Sequence, residues 1–285
     1  MSLEQVDRLR AMLLARRGAT PTLAERRAGF EAQMAATPLP EDVRFSHAEI
    51  GGLWVDAPDS RDDRVLLWLH GGAFVLGSAT SYRGMGANLA RASGCRVLLL
   101  DYPLAPEHPF PAARDASIAA LDWLMTQEGQ VAIGGDSCGA NLAVSAVQAR
   151  LKAGQAAPAA AWLISPYLDL THSGASIPIR AHLDPFIDPA TMPGTAATYL
   201  GAYDPADPRA SPLFGTTNGF PPTLIQVGSD EVLFDDARRF ADRLPNCVFQ
   251  EWVGMIHVWP LFAAMIEEGQ WAIAQAGILL QREML

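Results

Sequence analysis

Val131-Ala132-Ile133-Gly134-Gly135-Asp136-Ser137-Cys138-Gly139-Ala140 is the stretch whose reading decides the fold. A short apolar run, Val131 to Gly134, leads into a serine with Gly135 and Gly139 two residues away on either side. Helix-forming sequence then continues from Ala140 to Lys152. Strand, sharp turn and helix in that order make a nucleophile elbow, a strained turn that lifts the serine hydroxyl clear of the sheet. Glycine suits both flanking positions because a side chain there would crowd the neighbouring strand or helix. Ser137 also falls at a helix N-terminus, where free N–H groups and the helix dipole favour developing negative charge.

Outward from this stretch, short apolar runs recur at Val65 to Leu69, Val97 to Leu100, Val131 to Ile133, Ala160 to Ile164, Thr223 to Val227 and Val248 to Val253. Most are followed by helical stretches: Tyr82 to Ala92, Ala112 to Met125, Ala140 to Lys152, Leu233 to Leu244, and Leu261 to about Gln281. This alternation predicts a mostly parallel sheet covered by helices on both faces. Val43 to Ile50 and Leu53 to Asp56 alternate as a hairpin around Gly51-Gly52 and would add an antiparallel edge. Before them come two helices. Met1 to Arg17 is amphipathic through Val6, Leu9 and Leu13, and Thr22-Leu23-Ala24-Glu25 is a capping box for a helix reaching about Ala35. Arg180 to Phe214 breaks the alternation with six prolines and a predicted helix around Ala190 to Leu200. Long insertions of this kind serve as lids or binding loops. The chain is therefore predicted to be one domain, 1–285, with a helical cap formed by 1–40 and 180–214 over the C-terminal edge of the sheet, where ligands bind in open α/β folds.

With 285 residues, 49% of them hydrophobic and 18% charged, the composition is that of a globular enzyme. A net charge of −10 argues against a nucleic-acid or anionic-membrane surface. No apolar run approaches the ~20 residues of a membrane span, and the amphipathic start lacks the apolar core of a signal peptide. Cys95, Cys138 and Cys247 are too scattered for a disulfide framework or a zinc site and fit a reducing, cytoplasmic compartment.

A serine hydroxyl needs a base, and the base needs an orienting acid. Where the serine stands on such an elbow, the acid and then the histidine follow it in the chain. Three histidines lie downstream of Ser137: His172, His182 and His257. His257 occupies a loop between a strand and the last helix and is the expected base. The acid is expected at Asp230, where Thr223 to Val227 ends, with Glu231 as the rival hardest to dismiss. Asp235 and Asp236 are accounted for by the first turn of a helix. An oxyanion hole needs preset N–H donors. Cys138 follows the nucleophile, and His70-Gly71-Gly72-Ala73-Phe74 follows the first parallel strand, so donors are expected from both.

His70-Gly71-Gly72-Ala73, Tyr102-Pro103-Leu104-Ala105-Pro106-Glu107-His108-Pro109-Phe110-Pro111-Ala112 and Gly135-Asp136-Ser137-Cys138-Gly139 together resemble the hormone-sensitive-lipase-type esterases of bacteria. The resemblance covers most of the chain. It implies an α/β-hydrolase fold with an eight-stranded sheet and a helical cap. It further implies hydrolysis of short- to medium-chain carboxylic esters without a cofactor. Position by position, Ser137 becomes the nucleophile, Asp230 the acid, His257 the base, and Gly72, Ala73 and Cys138 the oxyanion donors. Four departures stand out: Ala73 replaces a third glycine, Cys138 replaces alanine, Pro103 replaces arginine, and Asp230-Glu231-Val232 replaces Asp-Pro-Leu. The thiol of Cys138, at a helix N-terminus, is a candidate reactive group, its plainer reading being a small buried residue. Phe30, Phe74, Tyr167, Phe186, Ile187, Tyr199 and Trp259 are candidate pocket residues, and so many large groups would suit short acyl chains. The expected partner is a small-molecule ester, with no nucleic acid and no metal; a homodimer stays open. Two other functions also stay open: an amidase or peptidase with the same triad, and a non-catalytic receptor like the plant hormone receptors on this scaffold.

Overall fold

The computed structural model describes residues 3–15, 21–127 and 129–284. Eight strands form one sheet in the order β1-β2-β4-β3-β5-β6-β7-β8. The strands are β1 (Arg44–His47), β2 (Leu53–Asp56), β3 (Arg61–Leu69), β4 (Cys95–Leu99), β5 (Gln130–Asp136), β6 (Ala160–Ile164), β7 (Thr223–Gly228) and β8 (Cys247–Trp252). β1 pairs with β2, and β2 with β4, antiparallel; every pairing from β4 through β3 and β5 to β8 is parallel. β6 and β7 are buried at every position. That is why they read as unbroken apolar runs rather than alternating ones.

The helices are α1 (Leu3–Leu14), α2 (Leu23–Ala35), α3 (Arg83–Ser93), α4 (Ala112–Leu124), α5 (Cys138–Lys152), α6 (Ser176–Arg180), α7 (Met192–Leu200), α8 (Phe234–Ala241) and α9 (Glu267–Glu283). α2 begins at the capping box read from its sequence, with the Glu25 N–H on Thr22 Oγ1 and the Thr22 N–H on the Glu25 carboxylate. Val6, Leu9 and Leu13 of α1 are buried against Met255, Ile256, Trp259, Phe262 and Ile266. Residues 1–2 and 16–17 of the first predicted helix lie outside the described residues. α4 and α5 pack together against one face of the sheet, and α3 and α9 pack together against the other.

Several boundaries differ from expectation, and one helix was not expected. The last helix starts at Glu267, not Leu261: Trp259–Phe262 is a 3₁₀ turn led by Pro260, and the helix waits until the chain has left it. The hairpin strand stops at His47, because the Ala48 N–H bonds Gly52 O and closes a wider turn. α6 is a short helix that sequence periodicity did not reveal. α3 and α9 cross closely at Gly277, where an added Cβ would lie 2.1 Å from Ala92 O. Gly277→Ala should therefore lower the unfolding free energy by about 1–3 kcal/mol, the usual cost of overpacking, in urea denaturation.

Candidate active site

The ends of β3, β5, β6, β7 and β8 deliver the site. At the end of β5, Ser137 adopts φ 53° and ψ −120°. Its N–H bonds Ile164 O at 2.9 Å and its carbonyl accepts the Tyr167 N–H at 3.1 Å, so the strained turn is held from both sides. The turn needs both flanking glycines. A Cβ on Gly139 would lie 1.9 Å from Leu69 O, and one on Gly135 would lie 2.5 Å from the Gly139 carbonyl carbon. Ser137 occupies the N-cap position of α5, yet its hydroxyl makes no capping bond.

That hydroxyl lies 3.0 Å from His257 Nε2. His257 Nδ1 lies 2.7 Å from Oε2 of Glu231, whose side chain is fully buried. A carboxylate can only accept, so Nδ1 carries the proton and Nε2 is left to accept from Ser137. The other Glu231 oxygen accepts from Gly228 N at 2.6 Å and Ser165 Oγ at 2.8 Å. Burial pushes the His257 pKa down, but the hydrogen bond and charge of Glu231, with Asp184 and Asp136 beyond, more than offset it, and the net shift is upward.

The expected acid, Asp230, does not reach the histidine. Its carboxylate turns the other way, into an ion pair with Arg10 and a 2.7 Å bond from Ser229 Oγ. The sequence held a signal for the register the structure shows. In Asp-Pro-Leu the leucine stands two residues after the acid, and Glu231-Val232-Leu233 keeps that spacing. Ser165, which braces Glu231, went unread because a serine after a strand carries no motif of its own.

His70-Gly71-Gly72-Ala73-Phe74 folds over the serine. Gly72 has φ 122°, and a Cβ there would meet Leu76 O at 2.3 Å. Ala73 and Phe74 also have positive φ, 56° and 64°. Asp136 of the elbow anchors the loop: its carboxylate accepts the Gly71 N–H at 3.1 Å and the Tyr82 hydroxyl at 2.7 Å. Burial pushes that carboxyl up to about 6 against those bonds. Burial likewise lowers His70 to about 4, leaving a neutral imidazole stacked on Tyr102 and bonded to Gly71 O.

Gly72, Ala73, Ser137 and His257 line one cavity of about 220 Å³. Phe30, Tyr167, Phe186 and Ile187 line it too, joined by Leu76, Met192, Leu233, Val258 and Leu261, with Arg26, Tyr82, Asp136, Asp188, Thr191 and Thr195 among its polar members. Phe74, Tyr199 and Trp259 are not among its walls. Phe74 and Tyr199 stack on each other at 3.7 Å between ring centroids, and Trp259 packs beside Trp252 under α1. All three are fully buried core. Among the described residues no group of three His, Cys, Asp or Glu side chains could hold a metal ion.

The sequence pattern of the α/β hydrolase fold matches residues 66–261. The chain belongs to the α/β-hydrolase family, among its hormone-sensitive-lipase-type esterases. An acetyl-hydrolase of Streptomyces hygroscopicus is 44% identical over 235 residues, 80% of this chain and 78% of that one. An esterase of Acinetobacter venetianus is 39% identical over 220 residues, 74% and 72% of the two chains. A solved esterase of the bacterial hormone-sensitive lipase family superposes with TM-score 0.95 at 38% identity, covering 99% of each chain. No helix among the described residues is long and apolar enough to cross a membrane.

In this family member the thiol beside the nucleophile is not a reactive group. Cys138 Sγ is fully buried behind the loop, where it accepts the Phe74 N–H at 3.2 Å. Burial pushes its pKa up to about 12, outweighing the hydrogen bonds from Phe74 N–H and the Tyr102 hydroxyl that favour a thiolate. Iodoacetamide should therefore leave Cys138 unmodified in the folded protein while the more open Cys247 is alkylated first; peptide mass mapping reads the difference.

Proposed function

We propose that this carboxylesterase hydrolyses short-chain carboxylic esters through an acyl-enzyme on Ser137, with His257 as base and Glu231 as acid. The continuous chain Ser137 Oγ–His257–Glu231 is the observation that carries the reading. Ser137 attacks the ester carbonyl as His257 Nε2 takes its proton. The Gly72, Ala73 and Cys138 N–H groups stabilise the oxyanion: the first two belong to the cavity wall, and Cys138 N–H is the first of α5. Imidazolium then protonates the leaving alcohol. The same histidine activates the water that releases the acid.

Residues 1–40 and 180–214 act as a cap; Phe30 from the first segment and Phe186, Ile187 and Met192 from the second line the cavity. At about 220 Å³ the cavity falls below the roughly 300–1,000 Å³ of sites that enclose drug-sized ligands. This size supports short acyl groups, as does the acetyl-hydrolase description of one relative. Turnover of p-nitrophenyl esters should peak at acetate to butyrate, and a profile still rising beyond about ten carbons, each buried CH₂ being worth ~0.8 kcal/mol, would contradict it. The triad favours catalysis over a receptor role, and an ester over an amide is the choice the relatives support. Three free cysteines fit a cytoplasmic setting.

Ser137→Ala should lower kcat by about 10⁶, and Glu231→Gln by about 10⁴, on p-nitrophenyl butyrate. Asp230→Asn should cost far less than Glu231→Gln. Because His257 must be neutral to accept a proton, and Glu231 raises its pKa above the ordinary 6.5, kcat/KM should fall on acidification with an apparent pKa above 6.5. In Glu231→Gln the hydrogen bond to a carboxylate and its charge are gone and burial is opposed only by the charges of Asp184 and Asp136, so the residual activity should show that limb at lower pH.

A further inference from the structure

Glu231 is flanked by two residues that are tied down from outside its own loop. On one side Asp230 pairs with Arg10 of α1. On the other, the Val232 N–H donates to buried Asp184 at 3.0 Å, and the same carboxylate accepts Phe186 N and Ile187 N at 2.8 and 2.9 Å. Arg10 does more than pair with Asp230. Its Nη1 donates to Leu183 O at 3.0 Å and its Nη2 to Gly254 O at 2.8 Å. One guanidinium thus joins the acid loop, the loop that leads to His257, and the segment that carries the pocket walls Phe186 and Ile187.

The arrangement is built to be stiff. Arg10 and Asp230 are both about four-fifths buried, at 20% and 21% side-chain exposure. The two loops also bond each other directly, Asp230 N to Met255 O at 3.1 Å and Gly254 N to Ser229 Oγ at 2.8 Å. The apolar face of α1 sits on Met255 and Ile256, the residues just before His257. A planar guanidinium can meet three acceptors lying in different directions; a lysine ammonium is a compact point charge on a flexible stem and cannot hold the same fork.

We propose that Arg10 is a positioning residue for catalysis: it fixes the Glu231 loop, the His257 loop and the pocket wall in one register without touching substrate. The proposal rests on the triad reading above. A merely structural ion pair would change stability and the fraction of folded enzyme, whereas a positioning group changes turnover per active site. Misplacement of reacting groups by about 1 Å can cost on the order of 10²-fold in rate.

The test measures kcat and KM for p-nitrophenyl butyrate in Arg10→Ala, Arg10→Lys and Asp230→Asn, normalised to sites titrated with a fluorophosphonate, beside the unfolding midpoint of each. Arg10→Ala should lose about 10- to 100-fold in kcat per titrated site with KM changed by less than about threefold. Arg10→Lys should recover part of the loss, and added guanidinium ion should partly restore Arg10→Ala. If Arg10→Ala yields no folded protein, Asp230→Asn decides: a kcat fall of about 3- to 10-fold supports the proposal, and an unchanged kcat overturns it. A kcat per titrated site within about twofold of the native value in Arg10→Ala overturns it as well, as does a loss confined to KM or to the number of active sites. Glu231→Gln separates the two readings. If it is crippled while the Arg10 variants turn over normally, only the positioning role fails; if Glu231→Gln is itself near normal, the triad fails.

Discussion

A buried carboxylate facing a buried imidazole is the contact on which the rest of the site depends. Glu231 and His257 are both almost wholly out of water, 2.7 Å apart. A charge in that position is costly unless both its oxygens find donors. The structure supplies them: Gly228 N and Ser165 Oγ on one oxygen, His257 on the other. Satisfying Glu231 in this way fixes the imidazole tautomer, and the tautomer decides that Nε2, facing Ser137, is the acceptor. Solvation of the acid and activation of the nucleophile are therefore one arrangement.

Backbone strain gathers around the same contact. Ala73, Phe74, Ser137, Ser165 and Val258 all have positive φ without being glycine. Each such conformation costs about 1–3 kcal/mol and survives only where its surroundings over-determine it. Here the surroundings are the strand ends and their bonds: Ile164 O on Ser137 N, Gln226 O on Ser165 N, and Ser165 Oγ on Val258 N. The parallel sheet works as a rigid jig whose edge holds bent segments. α1 packs on Met255 and Ile256, and its Arg10 bonds both loops that leave β7 and β8.

The fold was legible in the sequence because parallel strands buried on both faces leave uninterrupted apolar runs, and the elbow glycines admit no substitute. The capping box of α2 was equally plain, being local chemistry. What the sequence left open was direction. Asp230 and Glu231 are adjacent carboxylates on one loop; the spacing to Leu233 hinted at the second, but the loop's path is what turns it inward to His257 while the first turns outward to Arg10. Composition also cannot distinguish a pocket aromatic from a core one. Phe186 faces the cavity, whereas Phe74 and Tyr199 spend their faces on each other. Cys138 takes its plainer reading, a small buried residue, and the burial raises its thiol's pKa.

The most direct measurement is the proton NMR resonance of the hydrogen bond between His257 Nδ1 and its carboxylate, downfield of the amide envelope, recorded in native enzyme, Asp230→Asn and Glu231→Ala. The resonance of this Glu231–His257 pairing should be present in the first two and lost in the third. Loss in Asp230→Asn, or survival in Glu231→Ala, would contradict that pairing.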